Sequence, residues 1–514
     1  MRNFLALLYA LLVFGSSAQT TYTISGTIVI GTRNKPVRNA LVTITEVTAR
    51  SLKFSCLTGE DGRFTFKNLP TAKFSLSAEK RNAAPELFHE TEGYSTAIVT
   101  GPGLNSENIL FPLRPTGSIS GTLRDEEGDP VRDAQVMLFR RGVFSGKAHT
   151  NLQNQQQSDS SGEFRFGRLA VGSYLIAVQA RPWYAQNAFN VTQPAVGSEL
   201  DVAYPITYSG STTDPNAASP ISVTEGASTT VEITLRAEPA VHVQILRPDT
   251  ETRNPGLMLF AIGPGGFTIP MNGSFIDTGK RQELTGIPAG RYEVAEQGGP
   301  RKTADLDGDS SLAIRDTPGS SIAAHVIFEG QPTSAGTSVV FSNETATIQP
   351  GVAPDGSFLV SGVAPGRYQV ELANGPSFYV KSVDVGGHPS PDGTIEVPEG
   401  SAVEVSILAA AAVNHVDGIA LRDGQPFAGA MVLLLPSDVR RTDLIRRDQS
   451  DSDGTFTLPN VPPGQYTLLA IDDGRDIAYA DPAVIKVYLS RGQRIQVPLS
   501  ASSPMKVNVL TRQH

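Results

Sequence analysis

The 514-residue chain holds 49 Gly and 36 Pro, only 18% charged residues, one cysteine and a net charge of −9. Turn formers at that density fit short strands joined by many turns. The acidic balance, with no basic stripe, argues against nucleic-acid binding, which needs clustered cations, and a lone Cys excludes an internal disulfide.

Residues 1–18 read MRNFLALLYALLVFGSSA: one Arg, an apolar run from Phe4 to Phe14, then Ser16-Ser17-Ala18 before Gln19. This is the pattern of a secretory leader cut after Ala18. The run is too short to span a bilayer, so no membrane span is expected and the mature chain is expected to be secreted or periplasmic.

The remainder divides into five units, A (22–115), B (116–237), C (238–317), D (318–411) and E (412–514). A, B and E open alike, with YTISGTIVIGTRNKPVRNALVTITEV, GSISGTLRDEEGDPVRDAQVMLF and HVDGIALRDGQPFAGAMVLLL. Each reads strand, polar turn with Pro, then a second strand. Ala40, Val42 and Ile44 alternate in A, as do Ala134, Val136 and Leu138 in B. Period two with one apolar face predicts antiparallel sheets with one wet side.

A second register recurs about every 100 residues. Gly62, Gly162, Gly356 and Gly454 each stand two residues before a Phe, namely Phe64, Phe164, Phe358 and Phe456. An aromatic follows ten residues after each Phe: Phe74, Tyr174, Tyr368 and Tyr466. The Gly predicts φ > 0 in a tight turn. The segments LPTAKF, LAVGSY, IPAGRY, VAPGRY and VPPGQY predict a sandwich corner whose Tyr (Tyr174, Tyr292, Tyr368, Tyr466) bonds back to the upstream backbone. Unit C is the weakest copy, because NGSF at 272–275 stands seven residues too far from Tyr292.

These residues resemble the carboxypeptidase regulatory-like domains. The resemblance covers A, B and E well, D fairly, and C over its corner only. It implies an all-β fold of five tandem Greek-key sandwiches of transthyretin-like type, grouped with carbohydrate-binding-like folds, in an elongated array. The first strands of A, B and E contain no Lys, so the Lys–Asn self-crosslink of related collagen-adhesin modules is not expected.

No Gly-x-Ser-x-Gly elbow, P-loop or Gly-x-Gly-x-x-Gly occurs, and FHETEGY lacks the second His of a zincin. A non-catalytic protein without a resident cofactor is the expectation. One acidic stretch, DLDGDSSLAIRD, places Asp305, Asp307, Asp309 and Asp316 at the spacing of a calcium loop, although Ser310 stands where the sharp turn wants Gly. Calcium is therefore weighed against a solvated loop.

Unit B carries an insertion over 181–223 with the only Trp, Trp183, and with Tyr184, Tyr204 and Tyr208 among Pro, Ser, Thr and Asn. Rings among hydroxyls and amides suit a sugar surface; equally, they suit a cap on the sandwich core. The expected function is a binding array for glycans, polysaccharides or a cell-surface protein. The alternatives are a spacer or adhesion stalk, or the accessory subunit of a separate hydrolase. Cys56, in a strand-like run, reads as an inert thiol, with an intermolecular partner as the other reading.

Overall fold

A computed structural model describes residues 20–512, leaving out 32, 82, 105, 186–198, 247–256, 272–273, 278–281, 297–300, 309, 314–319, 331–337, 344–346, 374–377, 412–413 and 499–503. The segment 1–18, expected to be a secretory leader, lies outside the described residues. The protein is all-β, with one α-helix, Pro482–Leu489, among the described elements.

One arrangement recurs along the chain. In unit A, Tyr22–Ile30 lies between an antiparallel neighbour, Arg63–Leu69, and a parallel one, Ile109–Leu113. The same trio is Gly117–Arg124 with Glu163–Leu169 and Ser228–Thr234 in B, and Glu238–Leu246 with Gln282–Pro288 and Ser310–Ala313 in C. It is Ser320–Phe328 with Ser357–Val363 and Ala402–Ala411 in D, and Asn414–Arg422 with Thr455–Val461 and Met505–Leu510 in E. A second antiparallel sheet faces each trio, built in A on Leu41–Glu46 and Ala72–Lys80. Alternation fills the space between them: Ile24, Ile28, Val42, Ile44, Phe64, Phe66, Phe74 and Leu76 all point into one core.

The turns and corners follow local stereochemistry. Gly62, Gly162, Gly356 and Gly454 have φ of 73°, 72°, 88° and 80°, the left-handed region that glycine enters without strain. The hydroxyls of Tyr174, Tyr292, Tyr368 and Tyr466 donate to the carbonyls of Ala170, Pro288, Ala364 and Pro462 at 2.7–2.9 Å. Between turn and corner lies a β-bulge, at which the register of the first strand shifts in all five units. The extra residue of each bulge is left-handed: Asn68, Arg168, Gly286, Gly362 and Asn460, with φ of 60°, 59°, 72°, 75° and 55°. Asn and Gly tolerate that region, whereas Arg is strained in it. Arg168 is exposed, so Arg168→Gly is expected to raise the stability of unit B by about 0.5–1 kcal/mol, read as a later urea midpoint. An unchanged or earlier midpoint would contradict the bulge assignment.

The bulge also corrects the reading of unit C. Leu284 pairs with Val243 just as Phe66 pairs with Ile24, and Gly286 occupies the bulge position of Asn68. The true copy of the repeat is therefore Gln282–Pro288. The segment with Phe275 is an added strand, Ser274–Asp277, hairpinned onto it, which accounts for the seven surplus residues.

Two sheets depart from the expected wet face. In B, the strand Gln135–Phe144 buries Val136 and Leu138 on one side and Met137 and Phe139 on the other. The second side is covered by Ile206, Tyr208 and Ala218 of the insertion and by Ile269 of unit C. Phe139 meets Phe267 edge-on at 5.2 Å. In E, Met431–Pro436 is buried along its whole length, because Ile477, Tyr479, Ile485 and Tyr488 cover its outer face. That cover includes the helix, whose first turn is fixed by Pro482 and by the Asp481 carboxylate accepting from the amide of Ala483 at 2.8 Å. The contiguous runs VMLF and MVLLL are the sequence trace of strands buried on both faces.

The array is not elongated. Unit A packs against unit E: Ser452 N–H donates to the Ala97 carbonyl at 2.9 Å, Ala97 N–H to the Asp451 carboxylate at 3.0 Å and Val99 N–H to Ser452 Oγ at 2.8 Å. The hairpin tip of B reaches the same place, with Ala480 N–H donating to the Gly146 carbonyl at 2.9 Å. The sequence expectation failed here because period-two patterning reports each unit's own core and is silent on contacts between residues more than 330 positions apart.

Candidate functional site

The four aromatics of the insertion do not form one surface. Trp183 is 80% exposed, while Tyr204 and Tyr208 are 5% and 2% exposed. Tyr204 belongs to the inner core of B and Tyr208 to the packing against C. The strand pairing of Thr207–Tyr208 with Ala177 and Val178 draws the second half of the insertion onto the sheet. A platform of four rings is thereby corrected to a pair. Trp183 and Tyr184 stand edge to face with centroids 5.8 Å apart, and the Tyr184 hydroxyl lies 3.3 Å from the Glu126 carboxylate. Partial burial and then the neighbouring Glu126 push the Tyr184 phenol upward. The patch thus joins an apolar ring face to a phenol and a carboxylate from the Asp125–Asp129 turn. Residues 186–198 lie outside the described residues.

The acidic segment does not assemble a calcium loop among the described residues. Asp305 is in the strand Arg301–Leu306, and its two oxygens take a fork from Arg291 at 2.6 and 3.0 Å. That bond holds the Asp305 carboxyl below its usual range. Asp307 is exposed; Asp309 and Asp316 lie outside the described residues. No cluster of three metal-ligating side chains occurs among the described residues. Cys56 is half-buried on the edge strand Lys53–Leu57, and burial pushes its thiol up.

The densest chemistry lies at joints that the sequence pattern did not mark. Between A and E, Arg447 and Glu92 meet at 2.8 Å with side chains 2% and 8% exposed. Arg447 also donates to the Thr91 carbonyl at 3.1 Å and lies over the rings of Tyr94 and Tyr479. Lys73 reaches Asp451 at 2.6 Å, and Gln449 donates to the His89 carbonyl. Between B and C, His242 is buried with Nδ1 2.7 Å from Glu283 and Nε2 2.9 Å from Asp201 of the insertion. Both ring nitrogens face acceptor-only carboxylates, so the bonded ring is an imidazolium. Burial opposes that charge, yet the bonds to Glu283 and Asp201 outweigh it and raise the His242 pKa.

A raised imidazole pKa contributes stability that is complete below the unfolded value, near 6.5, and lost as pH rises through the folded value. The B–C joint is therefore expected to melt higher at pH 5.5 than above neutrality. His242→Gln should flatten that dependence and cost about 1–3 kcal/mol at low pH. A melt of unit C that stays constant from acid to alkaline pH would overturn the assignment.

Among the described residues no helix is long and apolar enough to cross a membrane. Compared with known proteins, the human BOS complex subunits NOMO1 and NOMO3 are each 29% identical over 185 residues, covering 31% of this chain. The match spans only 14% of the length of those relatives. Among solved structures, the minor pilin of Streptococcus agalactiae is similar at 15% identity and a TM-score of 0.21, over 45% of this chain and 100% of that one. The shaft pilin SpaA of Lactobacillus rhamnosus GG is similar at 13% identity and a TM-score of 0.19, over 43% and 98%. Residues 118–236, which include the Gly162 turn, the Tyr174 corner and the Trp183 insertion, match the carboxypeptidase regulatory-like domain, and the chain therefore carries a domain of that family within an all-β, repeat-built protein.

Proposed function

We propose that this is a non-catalytic, secreted or periplasmic binding protein that engages a glycan or other cell-surface polymer through unit B. The observation that carries the reading is the exposed Trp183 ring beside Tyr184 and Glu126. A flat ring covers the C–H face of a sugar, while a phenol and a carboxylate bond its hydroxyls. The domain type supports a binding or spacing role, since its recurrent residues are turn and core residues and not reacting groups.

A second reading, a structural or adhesive body, is favoured by the joints. The Arg447–Glu92, Lys73–Asp451 and His242 contacts spend charged side chains on holding units together.

One substitution separates the two. At 80% exposure Trp183 contributes little to the core, so Trp183→Ala should leave the melting profile within about 0.5 kcal/mol of wild type. On the glycan reading it should weaken binding by about 1–3 kcal/mol, and a bound polysaccharide should shift Trp emission to the blue. Polysaccharide titrations that leave the emission unchanged would move the function to the structural reading.

A further inference from the structure

The joint between the first and last units encloses a cleft of about 270 Å³. Unit A contributes Arg114, Glu86 and His89; unit E contributes Arg475 and Gln449. Glu90, Asp472 and Asp473 complete the charged lining. Two of the acids are already engaged: Asp472 is paired with Arg422 at 2.6 Å, and Asp473 is approached by Arg512 at 3.8 Å. The arginines are not matched in this way. Arg475 has a buried Nε with no hydrogen-bond partner, and after burial the like charge of Arg114 weighs on it more than any one of the opposing Asp473, Asp476 and Glu86. The same two guanidiniums, after burial, depress the His89 imidazole. Burial pushes Glu86 upward against the pull of Arg114 and Arg475. Two guanidiniums from opposite ends of the chain therefore line one cleft, and neither forms an ion pair among the described residues, Arg475 being offset only at longer range by Asp473, Asp476 and Glu86.

We propose that this cleft binds a small hydroxylated carboxylate the size of one sugar ring, such as a uronic acid. The size fits, because the cleft is smaller than the ~300–1,000 Å³ of drug-sized sites. The carboxylate answers Arg114 and Arg475, which favour planar two-pronged acceptors. Bare oxyanions are disfavoured, since Glu86 and Glu90 present acceptors that only a ligand with hydroxyl donors satisfies. Because the two arginines belong to units A and E, the ligand binds only the closed joint and stabilises it by mass action. The site is separate from Trp183 and stands or falls independently of it.

The test is thermal melting and calorimetric titration of the full mature chain with sodium glucuronate, glucose and sodium sulfate. Glucuronate is expected to bind saturably and raise the Tm, with glucose inert and sulfate at least about tenfold weaker. Arg114→Gln and Arg475→Gln, one on each side of the joint, should each weaken glucuronate at least about tenfold. A carbodiimide cross-link between Lys73 and Asp451, 2.6 Å apart, reports whether the joint is still closed in each variant. The proposal is overturned if glucuronate gives no saturable response, if sulfate binds as tightly, if both variants bind like wild type, or if binding is lost only where the cross-link is lost too.

Discussion

Glu92→Ala is expected to unlatch unit A from unit E at a cost of about 3–5 kcal/mol, the penalty for leaving a buried charge without its partner. Arg447 retains the Thr91 carbonyl and the faces of Tyr94 and Tyr479, but a carbonyl and two rings do not neutralise a guanidinium whose side chain is 2% exposed. The loss should appear as faster amide exchange in 88–97 and 447–452, while units C and D keep their protection. Replacing both partners with apolar residues, Glu92→Leu with Arg447→Met, should cost far less than the single change, because taking two charges out of water is itself unfavourable. Equal exchange in wild type and Glu92→Ala would mean that the pair does not hold the joint.

Gly121→Val should be nearly as damaging, at about 3 kcal/mol in unit B. A Cβ at Gly121 would stand 2.5 Å from Phe164 Cζ and 2.6 Å from the Val231 carbonyl oxygen. The ring is locked in the core and the carbonyl belongs to the parallel last strand, so neither neighbour yields cheaply. Gly26 and Gly418 face the same pair of neighbours in A and E. Unit D is the internal control: Ala324 sits opposite Phe358 and Val405 in the same register, showing that one methyl is accommodated at this position in that unit. Gly121→Val with a wild-type melt would show that the parallel strand does not press on this glycine.

Much of each unit was legible because its signals are local. A Gly two residues before a Phe needs only a left-handed turn, and a Tyr past a Pro-Gly corner needs only the carbonyl four residues behind it. Both are decided within about a dozen residues of sequence. The bulge was not read from the sequence, although Asn68, Gly286, Gly362 and Asn460 share a tolerance of the left-handed region that Arg168 lacks. Unit C was misaligned because NGSF imitates the Gly-x-Phe signal, and only strand register distinguishes a copy from an added hairpin arm. The site was harder. Trp183 and Tyr204 sit in one polar insertion with no periodicity between them, and which ring is buried depends on the sheet beneath. The runs VMLF and MVLLL carry the trace of a second buried face that the period-two reading passed over, and nothing local in them specifies what covers it. The Glu92–Arg447 and Asp201–His242 partners stand 355 and 41 positions apart in sequence and are brought together by packing between units.

The account rests on the chain folding back so that its first and last units touch, and zero-length cross-linking reads that contact directly. Carbodiimide treatment of dilute mature protein should join Lys73 to Asp451 within one molecule, across the 2.6 Å ion pair, and the linked peptide should vanish in Asp451→Asn. Recovery of the monomer with no such peptide, while Lys381 is joined to Glu329 across their 2.8 Å pair within unit D, would contradict the folded-back body and restore the extended array.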